Sequence, residues 1–195
     1  TCVMLALGLL GFMDDYTKVK LKSSDGVSGK TKLFWQFTVG VIAATFLYFK
    51  TQSSEYVLSG EPLKLSELTF PLFKGALFDM GLLCIPFFAI IVVGCSNAVN
   101  LTDGLDGLAG GIGLLLMGLL GFLAYESGVA ISFVLALGMV GSIFGFLFHN
   151  FPPAKVYMGD SGAYLVGFVI AALSLLNSEK GTVLAALIAP VLALA

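Results

Sequence analysis

Five stretches of this chain, residues 33–49, 75–96, 107–125, 129–148 and 161–177, run almost unbroken in apolar side chains for 17 to 22 residues. A helix rises ~1.5 Å per residue, so each stretch is long enough to cross a hydrocarbon core ~30 Å thick. Two shorter runs, 1–13 and 182–195, lie at the two ends. None alternates with the period of two that a membrane barrel needs, whereas helices satisfy their own backbone in lipid. Composition agrees: 58% of the residues are hydrophobic, 11% are charged, and mean hydropathy is +1.00. Soluble domains carry about 25% charged residues. The expectation is an all-α, polytopic transmembrane helix bundle of about seven spans, the outer two cut short. Residues 1–195 form a single membrane domain, read as a fragment of a longer chain cut at both ends.

Six polar segments separate the runs and must alternate between the two sides of a bilayer. Residues 14–32, 97–106 and 149–160 form one set; residues 50–74, 126–128 and 178–181 form the other. The first set holds six of the ten Lys residues, which favours it as the cytoplasmic side. The acids divide more sharply, with six of the seven Asp in the first set and all five Glu in the second. The short Asp side chain suits a fixed metal or phosphate site, so the first set is the expected working face. Within 50–74, the turn signal SGEP between EYVL and LKLSEL suggests a short extracytoplasmic hairpin. Gly141 and Gly145 make a small-xxx-small pair at which a neighbouring helix is expected to approach.

What the chain lacks narrows its chemistry. All ten basic residues are Lys, net charge is -2, and no basic patch suggests nucleic acid. Cys2, Cys84 and Cys95 lie in apolar runs without metal-ligand spacing. On one helix, Cys84 and Cys95 stand ~16 Å apart, too far to bridge, so they read as inert thiols. There is no Cys/His cluster, no Ser-His-Asp set and no Walker-type glycine loop. Carboxylates without thiols or imidazoles suit a hard, oxygen-seeking cation, most commonly Mg2+ acting with a phosphate substrate.

Three motifs carry those carboxylates, all in the first set. GFMDDYTKV places Asp14 and Asp15 where an apolar helix meets the aqueous face, with Lys18 one turn beyond Asp14 on the same side. Adjacent carboxylates repel unless a cation or proton intervenes; the alternative is an ordinary charged helix end. SNAVNLTDGLDGLAGG spaces Asn97, Asn100, Asp103 and Asp106 by threes, along one drifting helical stripe. Amides and acids beside glycines suit a nucleoside; the alternative is a glycine-rich turn. HNFPPAKVYMGDSGAY carries Asn150, Lys155, Tyr157, Asp160 and Ser161. Pro152 and Pro153 end the preceding helix, and Asp160 stands where it either caps the next one or ligates a metal facing the other loops. His149, the only His, reads as an interface residue.

At these motifs the chain resembles the polyprenyl-phosphate N-acetylhexosamine-1-phosphate transferases, of glycosyltransferase family 4 type. It is most similar to the branch that carries phospho-N-acetylmuramoyl-pentapeptide. The likeness runs along the whole chain, with the motifs in family order, and SNAVNLTDGLDGLA is the most specific of them. It implies Mg2+-dependent attack of undecaprenyl phosphate on the β-phosphate of UDP-N-acetylmuramoyl-pentapeptide, releasing UMP in the first membrane step of peptidoglycan synthesis. It further implies a multi-pass homodimer in the bacterial inner (plasma) membrane, with its site toward the cytoplasm.

By motif, the resemblance makes Asp14 the base for the lipid phosphate and has Asp15 and Lys18 position diphosphate or metal. Asp160 matches the principal Mg2+ ligand, with Asp103 a second candidate, and Asp103 and Asp106 match the acids of the nucleoside end. Asn100 and Asn150 match polar pocket residues, which Asn97 joins by spacing. Tyr157 stands where the family usually has a Phe that stacks on uracil. GDSGA in place of the more usual GDVGS leans toward the N-acetylglucosamine branch. A UDP-N-acetylglucosamine:polyprenyl-phosphate N-acetylglucosamine-1-phosphate transferase is therefore the alternative. A cation transporter is the alternative from another class, opposed by acids that gather at one face rather than at mid-membrane. The family's first two spans and a His-rich motif near its C-terminus are expected outside residues 1–195.

Overall fold

In lipid a backbone amide has no water to bond, so an apolar run that crosses a bilayer closes its hydrogen bonds along itself. The computed structural model of this chain describes residues 2–22, 26–53, 57–58, 61–62, 66–69 and 76–176; the apolar runs within them are helical, except that the expected span 75–96 opens with a strand at Ala76–Asp79 and its α-helix starts only at Cys84. They are α1 (Cys2–Leu21), α2 (Gly29–Ser53), α3 (Cys84–Thr102), α4 (Leu108–Glu126), α5 (Ala130–Asn150) and α6 (Gly159–Leu176). Among the described residues, five segments are long and apolar enough to cross a membrane: Gly29–Phe49, Gly81–Thr102, Leu108–Glu126, Ala130–Asn150 and Gly159–Leu176. α1 has 20 residues, but Asp14, Asp15, Lys18 and Lys20 interrupt its last two turns. The seventh expected run, 182–195, lies outside the described residues, as does the 178–181 connection.

Large side chains cover the outside of the bundle: Leu115 is 75% exposed and Ile131 74%. Water would penalise that surface; lipid does not. Inside, α6 packs on α3 and on α1, α2 packs on α3, and α4 pairs with α5. Leu7, Phe88, Cys95, Met117, Ile143, Tyr164 and Leu173 bring all of these helices except α2 into one core, and Ala44 adds α2. The approach of α1 to α6 depends on Gly11. A Cβ there would collide with the backbone of Asp160 and Ser161. A Cβ added at Gly141 or Gly145 would meet nothing within 4 Å, so among the described residues no neighbouring helix makes the close approach that pair allows.

Residues 57–79 hold two small antiparallel ladders. β1 (Val57–Leu58) pairs with β2 (Glu61–Pro62), and β3 (Glu67–Thr69) pairs with β4 (Ala76–Asp79). Among the described residues, Val57 and Leu58 of EYVL therefore pair with Pro62 and Glu61 rather than with LKLSEL. Only two residues separate β1 from β2, the separation favoured for tight hairpins, and the second half of the segment pairs forward instead. The α1–α2, α3–α4 and α5–α6 connections meet at one end of the bundle: Gly107 N–H donates to Asn150 and Ala154 N–H to Asp106, Asp160 N–H donates to Asp15 on α1, and Val27 N–H closes the α1–α2 connection onto Asp14.

Candidate active site

At that end the last turns of α1 meet the first turn of α6. One carboxylate oxygen each from Asp14, Asp15 and Asp160 lie within 4.8 Å of one another. Asp14 is fully buried, Asp15 half-buried, and Asp160 only 9% exposed. Asp15 serves as the cap of α6. Its Oδ1 accepts the Asp160 N–H at 3.4 Å and its Oδ2 accepts the Ser161 N–H at 3.4 Å. An acid at a helix N-terminus also complements the helix dipole. Asp160 therefore does not cap its own helix, as its position before the 161–177 run allowed; it sits inside the first turn while a distant helix supplies the cap. Gly159, with φ 64°, makes this possible: the backbone enters α6 through the left-handed region, and a Cβ there would stand 2.7 Å from Asp15 Oδ2.

Each acid has named partners. Asp14 Oδ1 accepts the Val27 N–H at 2.7 Å, while its Oδ2 lies 2.6 Å from Lys18 Nζ and 3.3 Å from Lys32 Nζ. Burial pushes the Asp14 carboxyl up, but its contacts with Asp160, Lys18, Val27 and Lys32 outweigh that and hold it below the usual carboxylate range. The Lys18 ammonium is stabilised in turn: its bond to Asp14 outweighs burial, and the charge of Asp160 adds to it. Asp160 Oδ1 accepts Asn100 Nδ2 at 2.9 Å and lies 3.6 Å from Lys18 Nζ. Its Oδ2 accepts Lys32 Nζ at 3.1 Å and the Tyr164 hydroxyl at 3.3 Å. Three carboxylates face two ammonium groups, one negative charge in excess.

The second motif divides. α3 ends at Thr102, so Asp103 and Asp106 stand in the turn that follows rather than on the helical stripe their spacing suggested. TDGLDG is turn-forming chemistry, and it wins over the three-residue period. Asp103 accepts the Gly159 N–H but does not belong to the three-carboxylate group. Burial pushes its carboxyl up to about 6, the charges of Asp160 and Asp15 adding to that and the Gly159 bond opposing it. Asp106 Oδ2 accepts the Ala154 N–H at 2.9 Å. Asn150 is buried; its Oδ1 accepts the Gly107 N–H and its Nδ2 donates to Val156 O, both at 2.9 Å. These bonds tie the α3–α4 turn to the α5–α6 connection, on which Tyr157 carries a ring that is 72% exposed. Asn97 is directed elsewhere: its Nδ2 donates to Gln36 Oε1 at 2.6 Å and to Val93 O at 2.8 Å, in the α2–α3 interface.

Three participants escape a reading of the motifs. Lys32 closes the polar segment 14–32 outside the three motifs, yet it bridges Asp14 and Asp160. Gln36, one turn further along α2, is fully buried against Asn97. Tyr164 follows Asp160 at i+4, a spacing from which its contact could have been found. For Lys32 and Gln36 the signal was the same i,i+4 relation on a helix face that otherwise carries apolar side chains.

The model of glycosyl transferase family 4 matches residues 1–178. Among curated proteins, the chain is similar to the phospho-N-acetylmuramoyl-pentapeptide-transferase of Pelagibacter ubique, 36% identical over 193 residues, covering 91% of this chain and 51% of that protein. The protein of the same name from Borrelia turicatae is 37% identical over 193 residues, 91% of this chain and 52% of the relative. That of Wolbachia sp. subsp. Drosophila simulans is 39% identical over 179 residues, 91% and 51%. The chain spans about half the length of the curated relatives it matches.

Proposed function

The chain belongs to glycosyl transferase family 4, and from that premise we propose that its full-length protein transfers phospho-N-acetylmuramoyl-pentapeptide from UDP to undecaprenyl phosphate, releasing UMP. The observation that carries this reading is the meeting of Asp14, Asp15 and Asp160 with Lys18 and Lys32 at one end of an apolar bundle. Such a place brings a water-soluble diphosphate within reach of a lipid headgroup. The reading puts the protein in the bacterial inner membrane, with this end toward the cytoplasm, as the lysine count of the three connections favours. The same reading takes the protein as a homodimer, which sedimentation in detergent would test.

The donor set fits a magnesium ion. It offers carboxylate oxygens only, carries an excess negative charge, and leaves Lys and Asn as close neighbours rather than competing thiols or imidazoles. Mg2+ is held by one or two carboxylates together with substrate phosphates. Asp160, Asp14 and Asp15 would hold it, and it would supply neutralisation of charge on the transferring phosphate.

The chain's own residues do the rest. Lys18 and Lys32 present two ammonium groups to the diphosphate and the departing UMP. Asp14 keeps both in place and, held below the usual carboxylate range, is better suited to that than to taking up a proton. A phosphate monoester with a second pKa near 6 is already largely dianionic at neutral pH, so the lipid phosphate attacks without needing a strong base. Asp103, Asp106 and Asn150 fix the two connections that carry the nucleoside end, and Tyr157 offers its ring face to uracil. Incubating the purified full-length protein with UDP-N-acetylmuramoyl-pentapeptide and undecaprenyl phosphate should release UMP only when Mg2+ is supplied. Release at the same rate in excess chelator would refute the reading.

A further inference from the structure

Asp160 is held from four helices, by Lys18 on α1, Lys32 on α2, Asn100 on α3 and Tyr164 on its own α6. Tyr164, one turn along α6, is 1% exposed, and its hydroxyl donates to Asp160 Oδ2 at 3.3 Å. The ring alone would be served by Phe, since it packs among apolar neighbours in the core. A hydroxyl at such a place is costly unless bonded, and here its acceptor is the carboxylate of the cluster.

A carboxylate oxygen has about two lone-pair sites. On Asp160 Oδ2 they face Lys32 Nζ and the Tyr164 hydroxyl, whereas Oδ1 has one aligned donor, Asn100 Nδ2. Lys32 reaches in from α2 on a flexible stem. Tyr164 is rigid and rides on the same helix as Asp160, so it orients the carboxylate relative to α6 whatever α2 does.

We infer that Tyr164 is a positioning residue for divalent-cation binding: its hydroxyl engages Asp160 Oδ2 and so fixes the rotation of that carboxylate beside Asp14 and Asp15. The inference rests on the proposed reading of these three acids as a cation site. Groups that hydrogen-bond a metal ligand typically alter metal affinity by 10- to 100-fold. The Tyr164 bond is long, which places the expected effect at the lower end.

The test is Tyr164→Phe in the full-length protein, with Mn2+ affinity measured directly by electron paramagnetic resonance. The variant should bind Mn2+ roughly 10-fold more weakly than wild type. It should need correspondingly more Mg2+ for half-maximal transfer, reach the wild-type kcat at saturating Mg2+, and keep the wild-type KM for the nucleotide sugar. Because the ring is retained, it should unfold at the wild-type temperature without metal, which separates lost positioning from lost packing. Mn2+ affinity within about twofold of wild type would overturn the inference and leave Tyr164 a packing residue, with the cation site standing. A wild-type protein that binds no Mn2+ would instead overturn the cation reading itself, and this inference with it.

Discussion

At the scale of single residues, the ring of Tyr157 is 72% exposed on a connection pinned at Asn150, Ala154 and Val156, so it is both rigidly carried and open to a flat ligand. Base–aromatic stacking is worth about 1–3 kcal/mol, so Tyr157→Ala should raise the KM for the UDP-sugar roughly 5- to 150-fold, and Tyr157→Phe should be nearly silent. Unchanged nucleotide affinity in Tyr157→Ala would leave the ring as an interfacial anchor. Asp160→Asn keeps the volume and can still accept from Lys32 or Tyr164, but loses the charge that a cation needs. Transfer should fall by at least roughly 100-fold, more than the loss of a residue that only supports a ligand, while the protein still folds. Wild-type turnover would reduce Asp160 to a structural part. Asp103 adds a pH dependence. Burial pushes its folded carboxyl up to about 6, above the ordinary carboxylate range, so the folded state keeps a proton that the unfolded chain gives up. Stability of the metal-free protein should therefore fall as pH rises from about 4 to about 6, and level off above. Thermal unfolding across that range should show the slope flattened in Asp103→Asn.

Among the elements, the α1–α6 contact decides whether there is a site at all. Gly11 lets the end of α1 lie against the backbone of Asp160 and Ser161, and this brings Asp15 onto the α6 N-terminus. Gly11→Val should destabilise the protein by about 1–3 kcal/mol and weaken Mn2+ binding, because overpacking must push the helices apart. Gly8→Val, where no neighbour lies within 4 Å, should do neither. Equal effects at the two positions, by thermal unfolding and Mn2+ titration, would deny the contact this role. The spans themselves were legible, because lipid writes long apolar runs into a sequence: α4 to α6 fall almost where those runs do, whereas α3 lies later than the 75–96 run, whose first residues pair as β4. The gathering of Asp14, Asp103 and Asp160 at one end followed from alternation across the bilayer. The partners within the site were not legible: Lys32 meets Asp160 across 128 residues and Asp15 caps α6 across 145, distances over which no local period speaks. Where a local period did speak, through Asn97, Asn100, Asp103 and Asp106, turn chemistry overrode it after Thr102.

For the molecule as a whole, the arrangement is a sided one. Apolar side chains such as Leu115 and Ile131 face outward around the bundle, while acids and lysines close its α1–α2, α3–α4 and α5–α6 end. In cells, a cysteine placed at Lys155 should react with a reagent supplied from the cytoplasm, and one at Glu126 with an impermeant reagent outside; the reverse pattern would invert the protein. On the proposed reading, the site at that end must also choose its nucleotide sugar. Relatives named for phospho-N-acetylmuramoyl-pentapeptide transfer favour one donor, while the GDSGA sequence around Asp160 leans toward N-acetylglucosamine. The most direct measurement supplies the full-length protein with undecaprenyl phosphate, Mg2+ and both radiolabelled donors, UDP-N-acetylmuramoyl-pentapeptide and UDP-N-acetylglucosamine, in competition. The account predicts a lipid-linked diphosphate carrying the muramoyl-pentapeptide, with UMP released in equal amount. Label from N-acetylglucosamine in the lipid product, or no lipid product from either donor, would contradict it.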